Sequence, residues 1–210
     1  MNKLANVCFK KLFLVVLVSL LPFSAVECFA ADQNVNDRQL DTKDIRQIVE
    51  TAKLSEDAID LNTLQELDVD TARIVAASRG KLFLNGLTEV TPEVAEILAN
   101  HRGWLHLEGL RSVSPAVARA LSKHQGWLFL NGIRVLDRDV AIALLPYHGQ
   151  LYLDGVETIT EDVAKIFASR LNGVELYGVE NINYRSVAML RKNSEIILPA
   201  KFNRADWWPF

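Results

Sequence analysis

Two rhythms of apolar positions are superimposed along residues 59–198. A short alternation, Leu-x-Leu, occurs at Leu82 and Leu84, Leu105 and Leu107, Leu128 and Leu130, and Leu151 and Leu153. Alternation of this kind sends both leucines to one face of a strand and the residue between them to the other. Each alternation leads into a helical spacing: Val94, Ala95, Ile97 and Leu98 in one copy, Val117, Ala118, Ala120 and Leu121 in the next. Thr91-Pro92, Ser114-Pro115, Asp137 and Thr160 precede these stretches as N-caps, with proline at the first helical position where it occurs. The strand–turn–helix phrase begins at Lys81, Trp104, Trp127 and Gln150, so each copy starts 23 residues after the last. A fixed period in this range is the mark of a stacked-repeat array.

The same register extends outward in weaker form. Ile59-Asp60-Leu61 is a first unit with Thr63 in the glycine place, Val174-Glu175-Leu176-Tyr177-Gly178 a degraded later one, and Ile196-Ile197-Leu198 a last strand stopped by Pro199. Ala72, Ala95, Ala118, Ala141 and Ala164 form one column of small residues between helix and sheet. Gly80, Gly103, Gly126 and Gly149 read as helix C-terminal glycines. Gly86, Gly109, Gly132, Gly155 and Gly178 read as positions where the chain leaves the sheet in a backbone conformation that other residues disfavour. Before the array, Asp41 or Thr42 can cap a helix with apolar positions Ile45, Ile48, Val49 and Ala52, which closes its open end.

The period, the Leu-x-Leu strand and the following helix resemble leucine-rich repeats over 59–198, closest to the divergent arrays of secreted bacterial proteins. The family's leucine three residues before the strand pair is replaced by Arg79, Arg102, Gln125 and His148. Its asparagine three residues after the pair is replaced by Leu87, Leu110, Ile133 and Val156, so the family's asparagine ladder is missing. The resemblance implies an α/β fold: a leucine-rich-repeat-like solenoid of short parallel strands and short helices with terminal caps. It also implies that the sheet face binds partners and that the fold supplies no catalytic residues.

Residues 1–30 have the order of a secretory signal peptide: Lys3, Lys10 and Lys11, an apolar run from Leu12 to Phe23, and small residues before a cleavage point after Ala30. The apolar run is shorter than the ~20 residues of a spanning helix. Residues 31–58 then form a lead-in and capping helix, 59–198 the array, and 199–210 an aromatic tail whose Trp207, Trp208 and Phe210 cap the last unit or dock a partner. A secreted or periplasmic location follows, with no stable membrane insertion once the signal is removed. Both cysteines, Cys8 and Cys28, lie within the signal, so the mature chain would hold no disulfide. The formal charge of −3 becomes −5 when three lysines and Glu27 are removed. With no basic cluster along the chain, nucleic acid is not an expected partner.

Candidate chemistry lies on the outward positions, which stacking turns into columns with rungs about 4.8 Å apart. One column reads Asp60, Phe83, His106, Phe129, Tyr152, Glu175. Its neighbour holds Lys81, Trp104, Trp127 and Gln150, and a third holds Asn62, Asn85, Glu108, Asn131, Asp154 and Tyr177. The residues expected to meet a protein or glycan partner are Phe83, Trp104, His106, Glu108, Trp127, Phe129, Asn131, Tyr152 and Asp154, since exposed aromatic fields mark interaction sites. The alternative is a structural or envelope-associated spacer whose rings merely pack on one another. A remoter one is a glycan hydrolase using Glu108 and Asp154, two rungs or about 9.6 Å apart. His101 and His124 fall one repeat apart without a third ligand in register, and the helix dipole accounts for histidine in a last helical turn. No cofactor, metal or catalytic residue is expected.

Overall fold

The computed structural model describes residues 40–53, 58–170 and 172–202. The expected signal peptide, the polar lead-in before Leu40 and the tail 204–210 lie outside the described residues. Helix α1 (Thr42–Lys53) comes first, capped by Asp41, whose Oδ1 accepts from the amides of Lys43 and Asp44 at 2.8 Å each. Strand and helix then alternate: β1 (Ile59–Asp60), α2 (Val69–Ala76), β2 (Arg79–Phe83), α3 (Pro92–Leu98), β3 (Arg102–His106), α4 (Pro115–Leu121), β4 (Trp127–Phe129), α5 (Arg138–Leu144) and β5 (Leu151–Tyr152). The last part contains β6 (Thr158–Ile159), α6 (Glu161–Ala168), β7 (Val174–Glu175), β8 (Asn181–Ile182), α7 (Tyr184–Leu190), β9 (Ile196–Ile197) and a 3-10 turn over Ala200–Phe202.

The chain is therefore α/β, with a seven-stranded sheet in the order β1-β2-β3-β4-β5-β7-β9, parallel throughout. Leu82 pairs with Leu105, Leu105 with Leu128, Leu128 with Leu151 and Leu151 with Val174, so the sequence period is also the ladder register. Only the last step departs from it: Val174 pairs with Ile196, 22 positions on. A two-stranded ladder, β6 with β8, lies apart from the main sheet. Among the described residues no helix is long and apolar enough to cross a membrane.

The core is built as the alternation requires. All eight leucines of the Leu-x-Leu pairs are fully buried, as is the whole alanine column from Ala72 to Ala164. Ser114, Thr91 and Thr160 cap their helices through bonds to the third amide on, while Asp137 occupies the cap position without making that side-chain bond.

Both sets of glycines play roles other than those the sequence suggests. Helices α2, α3 and α4 end at Ala76, Leu98 and Leu121, on caps in ordinary right-handed conformation (Ala77, Ala99 and Ser122). Gly80 and Gly103 lie inside strands, and Gly80, at φ 89°, does need glycine's freedom. The turn glycines Gly86, Gly109, Gly132, Gly155 and Gly178 have no such conformation; each is crowded by the rung before it. A Cβ on Gly109, for example, would collide with the carbonyl oxygens of Asn85 and Leu87. Backbone atoms cannot move aside as a flexible side chain can, so Gly109→Ala is expected to cost about 1–3 kcal/mol, the usual range for overpacking. A denaturant titration measures this, and an unchanged midpoint would show that the rungs are not in close contact.

Candidate binding face and the ladders beneath it

Parallel pairing at a constant register places like positions of successive units side by side, so the columns foreseen in the sequence form. Phe83, His106, Phe129 and Tyr152 are stacked face to face, with centroid separations of 4.2, 3.9 and 4.1 Å. In the next column Trp127 stacks on Trp104 at 4.4 Å, and Lys81 Nζ covers the other face of Trp104 at 4.1 Å from the ring centroid. Trp104 is also tilted against His106 and Phe129, and Trp127 against Tyr152, so the two columns form one aromatic field. Trp127 remains 41% exposed, whereas Phe83, Trp104, Phe129 and Tyr152 are half-buried by one another. Trp104 and Phe129, covered on both faces, present only their edges.

His106 departs from the expectation of an outward contact residue. It is 7% exposed, sandwiched between Phe83 and Phe129, with Nδ1 donating to Glu108 Oε1 at 2.9 Å. Its Nε2 is buried without a partner, as suits an unprotonated nitrogen between two rings. Burial lowers the pKa of His106, and the adjacent Glu108 carboxylate only partly offsets this.

The third column, which includes the expected contact residues Asn131 and Asp154, is occupied with holding rungs together. Asn62 Oδ1 accepts from Asn85 N at 2.8 Å, and Asn85 Oδ1 from Glu108 N at 3.0 Å. Asn131 Oδ1 accepts from Asp154 N, and Asp154 Oδ1 from Tyr177 N, both at 3.0 Å. The chain therefore has an amide ladder after all, placed directly after the second leucine of each pair. Its signal, Asn or Asp at positions 62, 85, 131 and 154, is visible in the sequence but reads there as a row of residues facing solvent. Glu108 is the exception: it accepts from His106 and, at 3.5 Å, from Asn131 Nδ2. Both carboxylates of the hydrolase alternative are thus engaged in hydrogen bonds within the fold.

A further ladder, missed in the sequence as such, runs through the interior at the start of each strand. His101 Nε2 lies 3.2 Å from Gly80 O, His124 Nε2 3.1 Å from Gly103 O and Tyr147 Oη 2.5 Å from Gly126 O. Arg170 Nη2 donates to Gly149 O at 2.8 Å. Each side chain satisfies the glycine carbonyl of the preceding rung. His101, His124 and Tyr147 are stacked at 6.2 and 6.5 Å, and the Arg170 guanidinium lies over Tyr147 at 5.2 Å. The two histidines are almost wholly buried, and burial depresses both pKa values. Neutral imidazoles do not answer to a helix dipole, so carbonyl bonding replaces that explanation. Among the described residues no group of three or more His, Cys, Asp or Glu is placed to hold a metal ion.

Stacking also assembles a charge pattern that the linear sequence conceals. Arg79 and Arg102 are register partners on β2 and β3, both exposed, and Lys81 is exposed beside them. At the far end of the sheet lie Asp154, Glu175 and the exposed Glu195. Burial and the Asp154 charge raise the pKa of Glu175.

Two consequences can be measured. Asn131→Ala strands the Asp154 amide and is expected to cost about 1–3 kcal/mol in a denaturant titration; an unchanged midpoint would return Asn131 to the surface. His101, His106 and His124 are all depressed below the ordinary 6.5 in the folded chain. The unfolded chain therefore takes up protons first as the pH falls. Stability is expected to be full above about pH 6.5, to fall as pH drops through the folded pKa values, and to fall less in His124→Asn; thermal melts from pH 8 to 4 read this out. A scan of family models finds no match to this chain, and a search of curated proteins finds no significant relative.

Proposed function

We propose that this chain is a non-catalytic binding module that receives a protein partner on the outer face of its sheet. The observation that carries this reading is the unbroken aromatic field formed by Lys81, Trp104 and Trp127 alongside Phe83, Phe129 and Tyr152, with Trp127 exposed. Aromatic fields rimmed by charge are the usual form of a protein-binding hot spot. A glycan is the less favoured ligand. Stacking on a sugar requires a free ring face, and both faces of Trp104, His106 and Phe129 are taken by neighbours.

The architecture proposed for the module is a leucine-rich-repeat-like solenoid, capped at its first end by α1. Its curvature follows from a mismatch of widths. Neighbouring strands are about 4.8 Å apart whereas packed helices need 8–10 Å, so an array with one helix per strand must bend with the sheet inside. The ring spacings support this: 3.9–4.4 Å on the outer face of the sheet against 6.2–6.5 Å in the interior column on the helix side. The aromatic face would then be the concave one, suited to a convex protein surface. A secreted or periplasmic setting, after loss of residues 1–30, belongs to the same proposal.

The second reading, a structural spacer with a self-packed face, is favoured by the same stacking distances. An affinity capture with the mature chain separates the two. A partner held by the native chain should be lost from a Trp104→Ala/Trp127→Ala variant that still unfolds cooperatively. Equal retention by both proteins would place binding elsewhere. If the native chain retains nothing while the double variant loses stability, the spacer reading stands.

A further inference from the structure

The binding face carries an unbalanced cost at one corner. Arg79 and Arg102 are directly paired across β2 and β3, and Lys81 lies two residues along from Arg79. Like charges directly opposite on neighbouring strands are destabilising. None of the three cations makes an ion pair with a described residue, although Lys123 and Arg134 elsewhere each have a carboxylate at 2.7–2.8 Å. Asp60, on the adjoining strand, is turned instead onto the Asn62 amide at 3.0 Å. The chain as a whole is acidic, with a net charge of −3, which makes an uncompensated basic corner more pointed.

Resting on the binding role proposed above, we infer that this corner seats carboxylate side chains of an acidic segment of a protein partner, with an apolar side chain of that segment against Trp104 and Trp127. Three features converge on this chemistry. The arginines offer planar donors suited to carboxylates. Trp104 and Phe129, covered on both faces, leave only their edges to a partner, and the edge is the electropositive part of an aromatic ring. Asp154, Glu175 and Glu195 make the opposite end of the sheet negative, so an acidic segment is repelled there and held to the Arg79–Lys81–Arg102 end. Charge thus sets where along the ladder the segment lies, and the tryptophans supply the contact area. A peptide is favoured over an anionic glycan because Lys81 and Trp127 occupy both faces of Trp104.

The test uses three synthetic peptides of one length, each with the same two phenylalanines, in which the remaining positions are glutamate, glutamine or lysine. Binding to the purified chain is followed by tryptophan fluorescence at two salt concentrations. The glutamate peptide should bind best, weaken with salt, and lose roughly tenfold in affinity in Arg79→Gln/Arg102→Gln, as the loss of two exposed ion pairs would give. Without peptide, that same double variant should melt higher than the native chain at low salt, because the repulsion is gone. Equal binding of the three peptides, unchanged affinity in the variant, or a lower melting temperature would overturn the inference. So would tighter binding of a sulfated polysaccharide, which would make a glycan the occupant. If the acidic preference fails while Trp104→Ala/Trp127→Ala still releases the captured partner, only this inference falls. If that release fails too, the binding role falls with it.

Discussion

The fold depends on one constraint: the polar groups of each rung are satisfied by the adjacent rungs at a fixed offset. Strand amides bond across the parallel ladder, Asn and Asp side chains receive the next rung's amide, and the interior column returns to the preceding glycine carbonyl. No single rung closes its own hydrogen bonds, and no rung can bury its leucines alone. Stability is therefore a property of neighbours, as it would be in the solenoid proposed above. The interior column shows how much variation this tolerates. Histidine, tyrosine and arginine all serve, because each is long enough to carry an N–H or O–H to the same carbonyl. At Arg170 a full charge is accepted in the interior. Burial lowers its pKa to about 10; Nη2 donates to two carbonyl oxygens and the guanidinium lies over the Tyr147 ring, while Nε and Nη1 are buried without a partner.

What was legible in the sequence is what side-chain period alone decides. The burial of Leu105 and Leu107, the alanine column, the Ser114 cap and the 23-residue register all follow from alternation and spacing. Three features are not legible in the sequence because they depend on which atoms approach across rungs. Gly109 was assigned a special backbone angle, but its need is for space against Asn85 O. Asn131 reads as an outward polar residue, and the sequence does not show that its oxygen accepts from Asp154 N. His106 reads as an outward position, and the phenylalanines on either side enclose it. An outward position on a strand can be covered when the outward positions beside it are large, and those on either side of His106 are aromatic.

The same ring stacking bears on both proposed roles of the face. Stacking rigidifies the tryptophans before any partner arrives, and side chains already ordered lose little entropy on binding. It also takes both faces of Trp104 and Phe129 out of reach, which narrows the ligands that fit there. Self-packing and recognition are therefore compatible uses of one surface. The charged residues at its two ends, which the stack does not need, are where selectivity can be adjusted.

The collision geometry of the turn glycines has a consequence for how such a chain can change length. Because Gly86, Gly109, Gly132, Gly155 and Gly178 each touch the carbonyls of the preceding rung, a single inserted residue between them would displace every later contact in the column. Tolerated insertions are then whole rungs, which re-enter the same register, or changes at the last strand, where Val174 already meets Ile196 one position early. Duplication of an intact unit lengthens the array without disturbing a single hydrogen bond inside it, and leaves the extra rung's outward residues free to diverge.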